Sequence, residues 1–500
     1  MRKEIDSFTS KANNMGFFTP FKQLLKKTDS LYILPIDNPK KTDSIYLNLK
    51  KTNDLPPYLL NQKNDSITLS TSKLRDFINE LNKYHQQTGK VFTKIKIENI
   101  VQINNNIKAD LIITNKTPRK IDKIIFEGYA TFPSRYNKHY LKLLNKPFNK
   151  NVLKTTDIKL KKLAFISQEK KPEVLFTKDS TILYLYIKRK RLNLFDGLIG
   201  FSNKDNGNKI RFNGHLHLEL NNSFNKGEKI SFKWLNNGNN IEQLNLQLNS
   251  PFIFNSPINS ELSLNIKKQD SSFINTRSKL LLNYYINHNN IFGITTAKEK
   301  STSSLTIPTN DINSYTKTNY GLSYTYSLYN DTSSRPKTKI IFQLDKGIKT
   351  TNSTNENQLH YYIQGLQHVK LTQRTSLFLQ TTFEELKGNN ILQNETYFIG
   401  GANTVRGFNE NSIQATRYNY TNIEYQIKTA NSSYLYTFSD LSLVQNKPEE
   451  LKDTLYSLGF GYNYKTLSGF INLSYAFGKT DKTEFNFQKG IFHIKLISFF

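Results

Sequence analysis

The chain has 500 residues, of which 37% are hydrophobic, and its mean hydropathy is -0.57. It contains no run of about 18 apolar residues, so it has no candidate transmembrane helix. The absence of cysteine excludes a disulfide framework and any Cys-based metal or redox site. Aromatic residues reach 13%, which fits a β-barrel, because a barrel needs apolar residues only at alternate positions and aromatic residues at its two rims.

Residues 1–40 show no sustained hydrophobic period and are interpreted as a leader or as the remnant of a further module. The segment Met1–Ser7 lacks the apolar core of a secretory signal. An outer-membrane protein has to cross the inner membrane, so either the chain begins at a mature or truncated start or the barrel predicted below is wrong. We favour the first alternative because the barrel signals extend over residues 192–500.

Residues 41–116 are predicted to form one small α+β domain, and residues 117–191 a second. In the first domain an amphipathic helix, with Thr71 or Ser72 as its N-cap, precedes two strands. The second domain repeats this order as a strand at 121–126, helices at 135–144 and 151–165, and a hairpin of 173–176 with 181–187. Generic α+β packing is the alternative, because periodicity alone does not identify a domain family.

The densest basic run, Lys188–Arg191, lies where the second domain meets the first predicted barrel strand. The net charge is +29, but lysine is scattered along the whole chain, whereas a nucleic-acid-binding domain clusters its basic residues around a recognisable motif. We interpret the run as a solvated hinge, with contact to anionic lipid headgroups as the alternative. No nucleic-acid partner is predicted.

Residues 192–500 alternate between apolar and polar side chains, as the strands of a membrane barrel do. A soluble β-sandwich shows the same alternation but rarely sustains it for so long. We therefore predict an all-β antiparallel transmembrane barrel of about 16 strands, an even number as in bacterial barrels. The strands are predicted to start near residues 195, 209, 228, 241, 258, 275, 289, 316, 336, 357, 373, 414, 432, 454, 468 and 489.

The last predicted strand ends the chain and carries an aromatic terminus. Successive side chains of a strand point to opposite faces. His493 and Lys495 are therefore predicted to face the lumen. The residues predicted to face lipid are Phe492, Ile494, Leu496 and Phe500.

One loop of the predicted barrel, Gly400–Phe408, places an arginine between glycines. A cation held in a barrel lumen needs an acidic partner, because an unpaired buried charge is very costly. Glu424 and Asp440, each in one of the next two strand-like segments, are the candidate partners. A solvated surface arginine is the alternative. We expect Arg406 to act as a structural latch and not as a catalyst.

The tetrapeptide Val405, Arg406, Gly407 and Phe408 resembles the Val-Arg-Gly-Phe/Tyr signature of the BamA/TamA outer-membrane assembly superfamily. In that family the signature lies between the eleventh and twelfth barrel strands, and the segment count puts Arg406 in the same gap. The resemblance implies that the loop folds into the lumen and that its arginine pairs with acids of the barrel wall.

The resemblance continues on both sides of this loop. Glu424 matches the acidic position of the twelfth strand, and Asp440 matches a Phe-x-Asp-x-Gly element of the thirteenth, where Ser442 replaces the glycine. Phe500 resembles the C-terminal barrel signal of the family, with Ser498 at a position that is usually hydrophobic. By element order alone, the two α+β domains resemble polypeptide-transport-associated (POTRA) domains, which implies that they lie in the periplasm and accept client strands at their sheet edges.

The resemblance implies a factor that assembles or inserts outer-membrane β-barrel proteins. Its partners would be unfolded outer-membrane or secreted polypeptides, outer-membrane lipid, and periplasmic or lipoprotein accessory subunits. A weak seam between the first and last strands, about Phe195–Asn203 against Gly490–Phe500, would offer backbone groups to an incoming strand. A two-partner-secretion-type polypeptide transporter is the alternative, although residues 1–40 offer no convincing plug helix.

An enzyme is not predicted. The chain has no Gly-x-Ser-x-Gly elbow, no phosphate-binding loop and no His-Glu-x-x-His metal site. His215 and His217 share the lumen side of one predicted strand, where a solvated pair is favoured over a metal site. We expect no catalytic residues, no metal and no cofactor.

Overall fold

The structure is a computed structural model, and it divides into two compact units. It describes residues 25–26, 32–33, 42–49, 54–60, 65–115, 117–190, 192–203, 210–236, 241–269, 272–287, 289–304, 312–329, 336–352, 354–430, 433–466 and 469–499. One unit consists of Met1–Ile125, Leu143–Thr156 and Pro172–Leu185, and the other of Phe126–Lys142, Asp157–Lys171 and Tyr186–Phe500. Most of the predicted leader lies outside the described residues. Within it, β1 (Leu25–Lys26) pairs with β2 (Tyr32–Ile33).

An α+β module occupies the segment predicted as the first small domain. Its elements are β3 (Ser44–Asn48), α1 (Pro57–Leu60), β4 (Ser66–Ser70), α2 (Leu74–Gln87), β5 (Lys94–Ile103) and β6 (Asn106–Thr114). The strands form one sheet in the order β4–β3–β6–β5, in which β3 and β6 are parallel. The apolar face of α2 contributes Phe77 and Leu81 to a core that also contains Leu47 and Leu111. The 3.6-residue period of that helix is therefore explained by burial against one face of the sheet.

The start of α2 differs from the prediction. A 3-10 turn, Thr71–Lys73, precedes the helix, and Lys73 at the N-cap position makes no capping hydrogen bond. The hydroxyl of Thr71 instead donates to the backbone oxygen of Thr42 at 2.9 Å. Thr71 therefore ties the start of the helix to the segment before β3 and does not satisfy the first backbone N–H groups of the helix.

A second set of α+β elements follows. It consists of β7 (Lys123–Glu127), a π-helix (Tyr136–Leu141), α3 (Lys150–Lys162), β8 (Ile166–Gln168), β9 (Glu173–Phe176) and β10 (Thr181–Arg189). The segment predicted as a helix at 135–144 is the π-helix, in which the Lys142 N–H bonds to the Asn137 oxygen five residues back.

Among the described residues, every helix is too short or too polar to span a membrane.

In the described part of the chain, sixteen antiparallel strands close into a barrel, and a short hairpin stands outside its wall. The barrel strands are β11 (Leu194–Asn203), β12 (Ile210–Asn221), β13 (Lys229–Asn236), β14 (Ile241–Ser250), β15 (Ile258–Gln269), β16 (Phe273–Tyr285), β17 (Asn290–Ser303), β18 (Tyr315–Tyr329), β19 (Pro336–Thr350), β20 (Asn355–Lys370), β21 (Thr375–Lys387), β24 (Arg417–Ala430), β25 (Ser433–Asn446), β26 (Leu451–Lys465), β27 (Gly469–Thr480) and β28 (Ile491–Phe499). The hairpin consists of β22 (Tyr397–Ile399) and β23 (Ile413–Ala415). Each barrel strand starts within three residues of its predicted position, and the predicted fold class is confirmed.

The barrel turns its apolar side chains outward and its polar side chains inward. On β18, Leu322 and Tyr324 are 50% and 37% exposed, whereas Ser323 and Ser327 are each 8% exposed. A soluble sandwich has the opposite arrangement, because its apolar faces meet inside. A barrel in a hydrocarbon layer requires an apolar outer surface and tolerates a polar lumen, and this barrel has both.

The first and last strands close the barrel through a very short ladder. Over the described residues, β11 pairs with β28 only at Leu194–Phe499 and Phe195–Ser498. By contrast, β11 pairs with β12 along its whole length, from Leu194 to Asn203. The seam is therefore the place where backbone groups of two barrel strands run side by side with little mutual hydrogen bonding.

His85 on α2 makes the first α+β module sensitive to pH. The side chain is fully buried, and neither ring nitrogen has a hydrogen-bond partner among the described residues. Burial lowers the pKa of His85 below 6.5; Asp54 opposes this shift and Lys90 adds to it. The unfolded chain therefore binds a proton at His85 more readily than the folded module, so the contribution of the neutral His85 side chain to stability is complete above pH 6.5 and is lost as the pH falls.

We expect the urea midpoint of this module to be lower at pH 5.5 than at pH 7.5. The measurement is circular dichroism of the detergent-solubilised protein at 222 nm, which follows the helices. His85→Gln removes the titrating group and should flatten the difference between the two pH values. An unchanged difference in that variant would assign the pH dependence to other groups.

Candidate functional site: a loop held against the barrel wall

The loop between the eleventh strand, β21, and the twelfth, β24, spans residues 388–416. Its two arms form the hairpin β22–β23, which pairs Ile399 with Ile413. The tip of the loop contains the predicted signature, and there Val405 is fully buried and Arg406 is 6% exposed. A loop tip would ordinarily be solvated, so the burial of these two residues shows that the tip packs onto protein.

Arg406 makes charge-assisted hydrogen bonds to both predicted acids. Its Nε and Nη2 atoms donate to the two oxygens of Asp440 on β25, at 2.9 and 2.6 Å. Its Nη1 atom donates to Glu424 Oε1 on β24 at 2.7 Å. The backbone N–H of Arg406 also donates to Asp440, at 3.0 Å. This bidentate geometry is the one that suits a guanidinium and that a lysine could not reproduce.

Aromatic packing completes the surroundings of the guanidinium. The Arg406 guanidinium carbon lies 3.6 Å from the ring centre of Phe438, two residues before Asp440 on β25. Asp440 is 1% exposed, so both charges are withdrawn from water. Removing one member of such a pair leaves the other charge buried without compensation, which costs about 3–5 kcal/mol.

The glycine that follows the arginine allows a close backbone contact. Gly407 has a φ of +81°, and a Cβ at this position would lie 2.7 Å from the backbone nitrogen of Gly478 on β27. Its N–H donates to Nε2 of His493 on β28 at 3.3 Å. Only glycine combines this backbone conformation with this approach. The loop tip therefore contacts the twelfth, thirteenth, fifteenth and sixteenth strands.

The two apolar members of the signature pack into a small core. Val405 belongs to a buried cluster, and Phe408 packs against its edge. The buried members of the cluster are Ile399, Val405, Ala415, Tyr418, Tyr420, Val444 and Leu455. They come from the arms and the tip of the loop and from β24, β25 and β26, so apolar contact and ion pairing hold the same loop.

A second anchor, which sequence reasoning missed, holds the first arm of the loop. Glu395, just before β22, accepts hydrogen bonds from Lys317 on β18 and Lys349 on β19, at 3.0 and 2.9 Å. The side chains of Glu395, Lys317 and Lys349 are 0%, 6% and 1% exposed. Lys317 and Lys349 lie on two neighbouring strands. Glu395 follows them by 78 and 46 residues, and no sequence spacing relates lysines of the barrel wall to an acid so far along the chain.

From Phe492 to Leu496, the side chains of β28 alternate between the outer surface and the lumen. Phe492, Ile494 and Leu496 are 55%, 64% and 49% exposed on the outer surface. His493 contacts Gly407, and the Lys495 ammonium lies 3.0 Å from Asn403 Oδ1 in the loop. Phe500 lies outside the described residues.

The two neighbouring histidines of β12 contact carboxylates. His215 Nε2 lies 3.3 Å from Asp196, and His217 Nε2 lies 3.7 Å from Glu219. Across the described residues, no group of three or more His, Cys, Asp and Glu side chains is arranged to hold a metal ion.

Solved structures of CdiB and BamA resemble this chain. CdiB from Acinetobacter baumannii matches with a TM-score of 0.56 and 13% identity, over 100% of this chain and 97% of its own. CdiB from Escherichia coli matches with a TM-score of 0.56 and 11% identity over the same shares. BamA from Haemophilus ducreyi lacking POTRA domains 1–3 aligns at a TM-score of 0.45 and 14% identity, over 89% of this chain and 95% of its own.

The two CdiB structures define the class of fold. Both align over the whole chain at TM-scores above 0.5, so this chain shares their architecture of α+β elements followed by a sixteen-stranded barrel. At 11 and 13% identity the likeness extends to the fold alone. No protein-family model and no curated protein matches the chain.

We expect Arg406→Ala to destabilise the barrel by about 3–5 kcal/mol, because Asp440 would stay buried without its cation. The measurement is the urea concentration at which half of the protein loses its compact, heat-modifiable band on an SDS gel. Arg406→Lys keeps the charge but loses the bidentate contact, so it should fall between wild type and Arg406→Ala.

The matched control is Arg374→Ala, on the exposed turn between β20 and β21. It should unfold at the wild-type urea concentration. If Arg406→Ala unfolded at the same urea concentration as Arg374→Ala, the buried ion pair would make no contribution to the stability of the barrel.

Proposed function

We propose that this protein is an outer-membrane factor for the assembly of β-barrel proteins, with its two sets of α+β elements in the periplasm. The observation that carries the proposal is the seam, at which β11 and β28 form only the pairs Leu194–Phe499 and Phe195–Ser498 over their described residues. The outward apolar band supports a location in a lipid bilayer. The likeness in fold to CdiB supports the outer membrane as that bilayer.

A poorly paired seam suits the chemistry of strand insertion. Backbone N–H and C=O groups that face hydrocarbon without a partner cost several kcal/mol each. An incoming client strand can pair with the free edge of β11 or β28 and lower that cost. Unfolded outer-membrane polypeptides are therefore the proposed clients, and they would begin to form their own sheet on this edge.

The first α+β module offers an additional edge for client strands. Its β5 lies at the end of the sheet order, and it exposes Ile100, Val101 and Ile103 by 62%, 55% and 53%. An extended polypeptide can add to such an edge through backbone hydrogen bonds, as it does in POTRA domains. We therefore propose POTRA-type capture of clients at β5 and delivery to the seam.

The anchored loop has a supporting part in this proposal. Arg406 holds it to β24 and β25, and Gly407 contacts His493 on β28. The loop tip thus contacts the last strand from the lumen side. We propose that the ion pairs keep β28 in place while its edge toward β11 exchanges hydrogen-bond partners with a client strand.

The deciding experiment is depletion of this protein, followed by quantification of the outer-membrane and secreted proteomes. We expect a broad loss of β-barrel proteins, because clients that cannot pair at the seam remain unfolded. Loss of one secreted protein with the barrels intact would instead identify a two-partner-secretion-type transporter.

Locking the seam tests the mechanism directly. The chain has no cysteine, so Phe195→Cys with Ser498→Cys creates a single pair. The Cα atoms of directly opposite antiparallel residues lie about 4.5–5.5 Å apart, within the range of a disulfide. We expect oxidation to stop barrel assembly in vesicles and reduction to restore it.

The control for this lock is Leu248→Cys with Leu262→Cys, a pair across the long ladder between β14 and β15. Its disulfide should leave assembly unchanged. Full assembly by the oxidised seam variant would show that clients do not use this edge.

A further inference from the structure

The turn between β14 and β15, residues 251–257, displays an aromatic side chain on a strained backbone. Phe254 is 94% exposed and has a φ of +50°. Bulky residues rarely adopt this left-handed conformation, because their Cβ then crowds the following carbonyl oxygen. The exposed ring gains no packing that would offset the strain. A strained residue whose side chain makes no stabilising contact within the protein is a candidate for contact with another molecule.

The rest of the turn is firmly held, so the exposure of Phe254 is built into the structure. Phe252 is 1% exposed, and its ring centre lies 4.9 Å from that of Tyr136 on the π-helix. The Phe252 N–H donates to Asn259 Oδ1 at 2.9 Å. His139 Nε2 lies 3.0 Å from Asn255 Oδ1. These contacts on both sides of Phe254 fix the turn and leave that ring outside.

The turn continues the outward apolar band at the end of the barrel where β11 begins. Ile258, at the start of β15, pairs with Tyr284, and Tyr284 pairs in turn with Phe292 and Phe292 with Tyr324. These three aromatic residues are 48%, 39% and 37% exposed. A row of exposed aromatic side chains at one end of a barrel is typical of the boundary between hydrocarbon and headgroups. Phe254 lies just beyond this row.

Exposed basic and aromatic side chains also lie on the π-helix and on the neighbouring turn of the barrel. The neighbouring turn, residues 222–228, exposes Phe224 by 68% and also exposes Lys226. It adjoins the π-helix, because the Tyr136 hydroxyl donates to Gly227 O at 3.3 Å. Lys138 on the π-helix is exposed and directly precedes His139. We call Lys138, Phe224, Lys226 and Phe254 the rim patch.

We propose that the rim patch binds the headgroups of anionic phospholipids in the leaflet next to it. Phe254 and Phe224 enter the boundary between headgroups and acyl chains, and Lys138 and Lys226 face the lipid phosphate groups. The proposal rests on the membrane location given under the proposed function. Charge complementarity and continuity with the aromatic row favour lipid over a polypeptide partner.

The single tryptophan of the chain allows a direct test. Trp234 lies on β13 in register with Leu216 and Leu244 on the outward apolar face. In vesicles that contain phospholipid brominated near the headgroup end of its acyl chains, quenching of native Trp234 reports whether the barrel lies in the bilayer. A second protein, Phe254→Trp with Trp234→Phe, reports the environment of the rim patch alone.

We expect brominated phosphatidylglycerol to quench the fluorescence of Phe254→Trp more strongly than brominated phosphatidylcholine in vesicles that contain both lipids. Adding Lys138→Gln and Lys226→Gln should remove this difference, because each lysine near the surface favours anionic lipid by about fivefold. The control pair, Lys452→Gln with Lys482→Gln, changes exposed lysines at the opposite end of the barrel and should keep the difference.

Three outcomes would overturn the inference, and they separate it from the proposed function. If Trp234 is quenched and Phe254→Trp is not, the barrel spans the bilayer but the rim patch does not touch lipid. Equal quenching of Phe254→Trp by the two lipids would remove the preference for anionic headgroups. If neither tryptophan is quenched, the membrane location itself is wrong.

Discussion

The pairing of backbone groups is the constraint on which the whole barrel depends. A strand within an apolar band has no water to satisfy its N–H and C=O groups, so each strand needs a neighbour on both sides. Fifteen of the sixteen contacts between neighbouring strands in the described barrel meet this need with long ladders, whereas β11 and β28 share two residue pairs. The proposed function follows from this exception, because a client strand would satisfy the groups that the seam leaves without a partner.

Buried charges hold the long loop at two separate points. Arg406 pairs with acids of the twelfth and thirteenth strands, and Glu395 pairs with lysines of the eighth and ninth. Ion pairs withdrawn from water are costly to break singly, because the remaining partner stays buried. The loop therefore links two distant parts of the barrel wall, and it contacts β28 through Gly407 without adding a strand to the seam.

The sequence predicted those features that depend on local periodicity or on charge balance. The sixteen strands were recognisable because side chains of a strand alternate between the outer surface of the barrel and its lumen. Glu424 and Asp440 were predicted as partners of Arg406 because a buried cation requires an acid and each of them stands in one of the next two strand-like segments. The pairs of Glu395 with Lys317 and Lys349, and the contact of Thr71 with Thr42, were not predictable, since they join residues that only the folded chain brings together.

The sequence by itself determined the class of the fold, the number and positions of the barrel strands, and the loop that carries the buried arginine. These features follow from side-chain alternation and from the cost of an unpaired charge. Only the tertiary structure decided how far the seam pairs, which lysines hold Glu395, and how Phe254 is displayed. Each of these depends on strand register and on contacts between segments far apart in the chain, and a hydrophobic pattern specifies which face a residue occupies but not its partner across the barrel.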